Sequence, residues 1–227
     1  MAEVSKIKVL LVDDHAIMRY GLRQILSDTE DMIVAGEAEN SEQAIRLVRE
    51  QEFDVVVLDI TLPDRSGMDT LKLIKRDHPK LAVLMLTMHG EKEFGVRALK
   101  AGASGYLTKN SVAEQLVKAV RKIAKGKKYI GPTLAEELAN SFGTETDQPL
   151  HETLSDREYQ ILCMIASGTS LSEMAARLSI SPKTISVYRA RVMAKMKFRN
   201  NTEITHYAIK HQLVQLGFHA PTSKSSL

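Results

Sequence analysis

Short apolar runs alternate with amphipathic stretches through the first half of the chain. The runs lie near 7–12, 32–37, 54–58, 81–86 and 104–107 and are dominated by Val, Ile and Leu. Runs this short and this apolar predict strands covered on both faces. Between them, stretches near 15–27, 41–51, 67–76, 90–100 and 111–124 carry apolar residues at helical spacing. Strict alternation of strand and helix implies right-handed crossovers, and therefore an α/β domain built on a five-stranded, doubly wound parallel sheet. Local punctuation agrees: Ser41 with Glu42 opens a helix, Gly67 follows a turn, and Pro79 stops the helix before it.

After Gly126 the pattern weakens. Gly131-Pro132 opens a short helix through Asn140, and the polar stretch 143–149 follows. This divides the chain into a first domain over 1–128, a linker with a short helix over 129–149, a second domain over 150–219 and a frayed tail over 220–227. The second domain has no strand pattern. Four helices are expected near 155–166, 170–178, 182–196 and 201–213, a small all-α unit. Ser155 and Glu158 form a capping box, Gly168 ends that helix, and Ser181 caps the third with Pro182 at its first position. A short helix followed by a turn and a capped longer helix is a helix-turn-helix pattern.

Composition is ordinary for a globular protein, at 44% hydrophobic and 26% charged. The net charge of +3 conceals an asymmetry. Residues 1–147 hold 21 Lys and Arg against 23 Asp and Glu, whereas residues 148–219 hold 9 against 5, so the basic excess sits in the second domain. The single cysteine, Cys163, excludes an internal disulfide and lies in the apolar run 161–166, a packing position. Apolar stretches fall well short of the ~20 residues of a membrane span, so a soluble, cytoplasmic protein without a membrane partner is expected.

Chemistry gathers at strand ends. The first strand runs into Asp13 and Asp14, the third into Asp59, the fourth into Thr87, and the fifth leads through Tyr106 and Thr108 to Lys109. In an open parallel sheet the carboxyl ends of the strands border the functional crevice. Three carboxylates there repel one another unless a cation lies between them. An all-oxygen set favours Mg²⁺, which bridges carboxylates to phosphate oxygens, and an Asp carboxylate can attack phosphorus to give an acyl phosphate. Lys109 would balance charge on the transferred group and Thr87 would donate to one of its oxygens.

On the third helix of the second domain, Ile185, Tyr188 and Val192 follow an inward spacing and leave Lys183, Ser186, Val187, Ala190 and Arg191 on the outer side. Residues 183–199 carry six basic residues and no acidic one. Small outward residues flanked by cations suit a helix that enters the major groove of DNA.

The acidic pair Asp13-Asp14, the segment 58–63 with Asp59, Gly67, Thr87, Tyr106 and Lys109 make residues 5–125 resemble the receiver domain of two-component response regulators. Asn110 stands after the lysine where that family frequently has proline. The resemblance implies a flavodoxin-like sheet, with Asp59 taking a phosphoryl group from a histidine kinase. It also implies Asp14 as a direct Mg²⁺ ligand beside Asp59, Asp13 holding a metal-bound water and the Thr61 carbonyl completing the shell. Thr87 and Tyr106 become switch residues. Residues 154–204, through 154–158, 165–168, 173–175 and 181–188, are similar to the LuxR-type helix-turn-helix. The pairing of the two resembles a NarL/FixJ-type regulator, with Thr184, Tyr188, Arg189 and Lys195 nearer phosphates and the helix from Asn201 to Gln212 as a dimerisation helix. It implies promoter DNA as a partner, a homodimer on phosphorylation or on DNA, and allows RNA polymerase as a further partner.

Two other readings fit parts of the pattern. A phosphohydrolase using Asp59 needs a general acid two residues on, where this chain has Thr61. A phosphorylation-independent DNA binder or adaptor with an inert receiver leaves Asp13, Asp14, Thr87 and Lys109 without a purpose. The expectation is a phosphorylation-controlled DNA-binding transcription regulator that is not a multiple-turnover enzyme.

Overall fold

The computed structural model describes residues 6–87, 91–141, 149–211 and 213–214. His89, two residues past Thr87, the polar stretch 143–148 of the expected linker, Gln212 and the expected tail 220–227 lie outside the described residues.

Five strands, β1 (Ile7–Val12), β2 (Met32–Ala38), β3 (Val55–Asp59), β4 (Ala82–Thr87) and β5 (Gly105–Thr108), alternate with α1 (Ala16–Ser27), α2 (Ser41–Glu50), α3 (Gly67–Asp77), α4 (Glu91–Lys100) and α5 (Val112–Ala124). The sheet is parallel in the order β2-β1-β3-β4-β5. Chain direction across the sheet reverses between β1 and β3, so the crevice opens at their carboxyl ends. β3 and β4 are buried along their whole length, as their apolar runs require. One core lies between the sheet and α1 with α5, and the other between the sheet and α2, α3 and α4.

Loop residues tie these elements together. Asp64 accepts from the backbone N–H groups of Ser41 (2.9 Å) and Glu42 (3.0 Å), so the loop after β3 caps α2 from outside. The helix opens at Ser41 with Glu42 in its first turn, as the sequence suggests, and its N-cap is Asn40. Asn40 accepts from Gln43, while Ser41 is buried and accepts from the Thr70 hydroxyl at 2.7 Å. Gly67 is required by proximity: a Cβ there would lie 1.9 Å from the Asp59 carbonyl oxygen.

Helix α6 (Pro132–Ser141) follows, and then a 3₁₀ turn, Leu150–Thr153, leads into α7 (Asp156–Ala166), α8 (Leu171–Arg177), α9 (Pro182–Met196) and α10 (Asn201–Lys210). The Ser155–Glu158 capping box is present, and a second one, Ser170–Glu173, opens α8. Cys163 is buried and free. Every residue of α7 is buried, including Asp156, Arg157, Glu158 and Gln160. Its apolar side packs on α9 and α10, and its polar side meets α3 and α4 of the first domain.

That seam is largely electrostatic. Asp156, 3% exposed, pairs with Lys72 at 2.5 Å and Arg97 at 3.0 Å. Arg97 also donates to the Leu154 carbonyl (2.7 Å) and lies over the Tyr159 ring at 4.4 Å. Phe94 meets Tyr159 edge-on, with centroids 5.3 Å apart. Beside the seam, His151 is packed among Tyr159, Tyr207 and His211, with its Nδ1 3.0 Å from the Tyr207 hydroxyl.

Burial pushes the His151 imidazole down to about 4, and His211, Arg97 and Lys100 reinforce the shift against the pull of Glu152. A histidine held neutral in this way contributes stability that is full above its ordinary value of 6.5 and is lost as pH falls toward 4. Thermal midpoints measured from pH 7 to pH 5 should therefore fall more steeply for the native chain than for His151→Gln; parallel profiles would contradict this assignment.

Candidate functional site

Four strand ends place the site. Asp13 and Asp14 follow β1, Asp59 ends β3, Thr87 ends β4, and Lys109 follows β5. Asp13, Asp59, Thr87 and Lys109 are buried, at 1%, 2%, 0% and 8% exposure. The Lys109 ammonium bridges Asp13 Oδ2 at 2.6 Å and Asp59 Oδ2 at 2.7 Å. Asp13 is held from two sides. Arg19 on α1 donates to its backbone carbonyl at 2.6 Å, and the His15 backbone N–H donates to its Oδ1 at 2.8 Å.

Oxygens of Asp13, Asp14 and Asp59 and a ring nitrogen of His15 all lie within 4.8 Å of one another. The sequence reading names the three carboxylates and misses His15, whose Nδ1 is 2.7 Å from Asp14 Oδ1. Adjacency to the acidic pair was visible in the sequence, but the direction of the imidazole depends on the backbone turn into α1. Asp14 is the partly open member, at 21% side-chain exposure. Closely spaced carboxylate oxygens from Asp13, Asp14 and Asp59, with Asp14 at the open edge, fit a hard divalent cation that keeps some of its waters.

Electrostatics at the site are finely opposed. Burial pushes the Asp59 carboxyl up to about 6, Lys109 pulls it down, Asp13 adds to the rise, and the Thr61 N–H lowers it. For Lys109, burial acts to depress the ammonium, but Asp59 and Asp13 outweigh it and hold it above its usual value. Two carboxylates sharing one ammonium leave a net negative pocket in low dielectric, which a cation relieves. Such a carboxylate, ionised at neutral pH and anchored on a rigid strand end, is equipped to attack an electrophilic phosphorus.

The remaining predicted residues of this half lie close by. Tyr106 is fully buried on β5, and the Lys109–Asn110 peptide is trans. Thr61, half-buried two residues beyond Asp59, receives the Gln160 side-chain amide on its hydroxyl at 3.5 Å. Gln160 belongs to α7, so the second half of the chain reaches the loop beside the acidic cluster. No sequence signal marks this contact, because α7 reads as an ordinary capped core helix.

On α9, Ser181 accepts from the Thr184 N–H at 3.1 Å and Pro182 takes the first position. Ile185 and Val192 are buried and Tyr188 is half-buried, as the spacing predicts. Lys183, Ser186, Val187, Ala190 and Arg191 are exposed along one side, with Val187 at 45%. Three flanking residues are engaged within the domain: Arg189 donates to Asn201 Oδ1 (2.8 Å), Lys195 pairs with Glu158 (2.6 Å), and the Thr184 hydroxyl meets Ser181 (2.8 Å). An open apolar and hydroxyl ridge beside cations has the form of a major-groove reading surface.

Comparison with known proteins agrees with both halves. Residues 9–121 match the response regulator receiver domain, and residues 152–208 match the bacterial regulatory proteins of the luxR family. The response regulator UvrY of Escherichia coli (strain K12) is 37% identical over 91% of this chain and 95% of its own length. The response regulator GacA of Pseudomonas aeruginosa is 36% identical over 92% of this chain and 98% of its own. Among solved structures, RcsB from Salmonella enterica serovar Typhimurium, bound to promoter rprA in the presence of the phosphomimetic BeF3-, aligns with a TM-score of 0.60 at 28% identity. That alignment covers 89% of this chain and 98% of RcsB. The chain belongs to the two-component response regulators that join a receiver domain to a LuxR-type DNA-binding domain, the transcription regulators of the NarL/FixJ group.

Proposed function

We propose that Asp59 is the phosphoacceptor of this response regulator and that its phosphorylation by a histidine kinase controls promoter binding through α9. The observation that carries this reading is the bridge of Lys109 between Asp59 and Asp13, within reach of Asp14. A carboxylate oxygen of Asp59 attacks phosphorus on the kinase phosphohistidine, the P–N bond breaks, and the imidazole leaves with its electron pair. Lys109 pairs with the charge that builds on the phosphoryl oxygens, and the Thr87 hydroxyl donates to one of them. Asp13, Asp14, Asp59 and the Thr61 carbonyl are the groups to hold Mg²⁺, which when bound neutralises the carboxylates beside the incoming phosphate. Water later hydrolyses the acyl phosphate, so the chain turns over only its own modification.

Phosphorylation adds charge and acceptor oxygens next to Thr87 and Tyr106, which act as the switch pair in this reading. The receiver over 1–128 then signals through the linker 129–149 to the DNA-binding domain over 150–219. Lys183, Ser186, Val187, Ala190 and Arg191 face the groove, with Thr184, Tyr188, Arg189 and Lys195 nearer phosphates. A homodimer, in part through α10, pairs two half-sites, and RNA polymerase is the machinery such a regulator serves. A cytoplasmic location follows from these partners, and among the described residues no helix is long and apolar enough to cross a membrane.

Two measurements test this reading. Incubation with a small phosphodonor and Mg²⁺ should label the native chain and leave Asp59→Asn unlabelled. Persistent labelling of Asp59→Asn would refute the assignment. On nonspecific duplex DNA, Lys195→Ala should lower the slope of log affinity against log salt by about 1, the signature of one lost phosphate contact. An unchanged slope would remove Lys195 from the interface.

A further inference from the structure

Gln160 hydrogen-bonds from the DNA-binding half to the phosphorylation loop. Its side chain is 0% exposed, its Nε2 lies 3.5 Å from the Thr61 hydroxyl, and its Oε1 accepts from Arg157 at 2.9 Å. The Arg157 contact fixes which end of the amide faces Thr61. Thr61 in turn lies two residues past Asp59, and its backbone N–H bonds the Asp59 carboxylate.

The loop between Asp59 and α3 has little slack. Asp64 is bonded to the start of α2, and Gly67 passes against the Asp59 carbonyl with no room for a Cβ. On its outer side the loop meets α7, which is fixed to α3 and α4 by the Asp156 pairs with Lys72 and Arg97. A phosphoryl group on Asp59 adds bulk and charge beside Thr61, and a loop restrained on both sides must yield somewhere. The hydrogen bond to Gln160 is a contact from outside the receiver that can be given up.

The groove-facing residues of α9 are exposed while α7 is docked. Docking therefore leaves the reading surface uncovered, and its restraint falls on the loop beside Asp59. We propose that Gln160 is a positioning residue for the phosphorylation site: docked against Thr61 it holds the loop in the unphosphorylated form, so that docking and occupancy of Asp59 oppose each other. This rests on Asp59 being the phosphoacceptor. Coupling of binding free energies is reciprocal, so release of α7 must tighten the pocket for a phosphoryl group by the same factor that phosphorylation favours release.

The test is the affinity of the full chain for beryllofluoride in the presence of Mg²⁺, followed by fluorine NMR. Gln160→Leu should bind at least about fivefold tighter than the native chain, the low end of ordinary coupling energies. Arg97→Gln, which breaks the docking from the receiver side and leaves α7 unchanged, should tighten binding in the same direction. In a Thr61→Val background, which keeps the loop backbone but removes the hydroxyl, Gln160→Leu should have no further effect. A purely structural role for Gln160 would lower the thermal midpoint without tightening the complex. Equal affinity for the native chain and Gln160→Leu, weaker binding by the variant, or the same gain whether residue 61 is Thr or Val would each overturn the proposal. Failure of the phosphoacceptor assignment looks different: beryllofluoride binding would then be absent, or indifferent to Asp59→Asn.

Discussion

A lysine ammonium shared by two buried carboxylates is the constraint on which the rest of this structure turns. Lys109 lies 2.6 Å from Asp13 and 2.7 Å from Asp59, and all three are nearly inaccessible to solvent. One positive charge cannot satisfy two carboxylates in a low-dielectric pocket, with a third carboxylate, Asp14, at its edge. The pocket is stable as a folded element and electrostatically incomplete. That is the condition under which a cation and then a phosphoryl group gain most by entering. The fold supplies the geometry, because four neighbouring strands of a parallel sheet, β1, β3, β4 and β5, end at one rim and bring the site residues together there.

Much of this was legible in the sequence because it depends on local order. Five apolar runs followed by Asp13, Asp59, Thr87 and Lys109 specify both the sheet and the position of the site, since a strand end and the residue after it are adjacent whatever the packing. The helix-turn-helix was equally local, marked by Ser155 with Glu158, Gly168, and Ser181 with Pro182. What escaped depends on distant elements meeting. His15 turns toward Asp14 only because α1 begins where it does, and Arg19 reaches the Asp13 carbonyl across the first turn of that helix. Ser41, the first residue of α2, is drawn into a bond with Thr70, 29 residues away, while Asn40 caps the helix.

The seam between the halves is the clearest case of information held only in three dimensions. Asp156, Arg157 and Gln160 sit at the polar positions of a capped helix, where solvent exposure is the ordinary expectation. Asp156 is buried opposite Lys72 of α3 and Arg97 of α4, Arg157 donates to Gln160, and Gln160 reaches Thr61. Charged pairs of this kind bring two domains into register while costing little to separate, since each partner recovers its water on release. The proposed release of α7 on phosphorylation is better served by such contacts than by a continuous apolar interface. Phe94 against Tyr159 is the apolar exception, and it lies beside the ion pairs.

The most direct test of the central claim is to trap the acyl phosphate chemically and locate it. Borohydride reduction of the phosphorylated chain converts an aspartyl phosphate to homoserine, which peptide mass spectrometry assigns to a position. The account predicts homoserine at residue 59 alone, dependent on Mg²⁺; homoserine at another aspartate, or none in a chain that carries label, would contradict it.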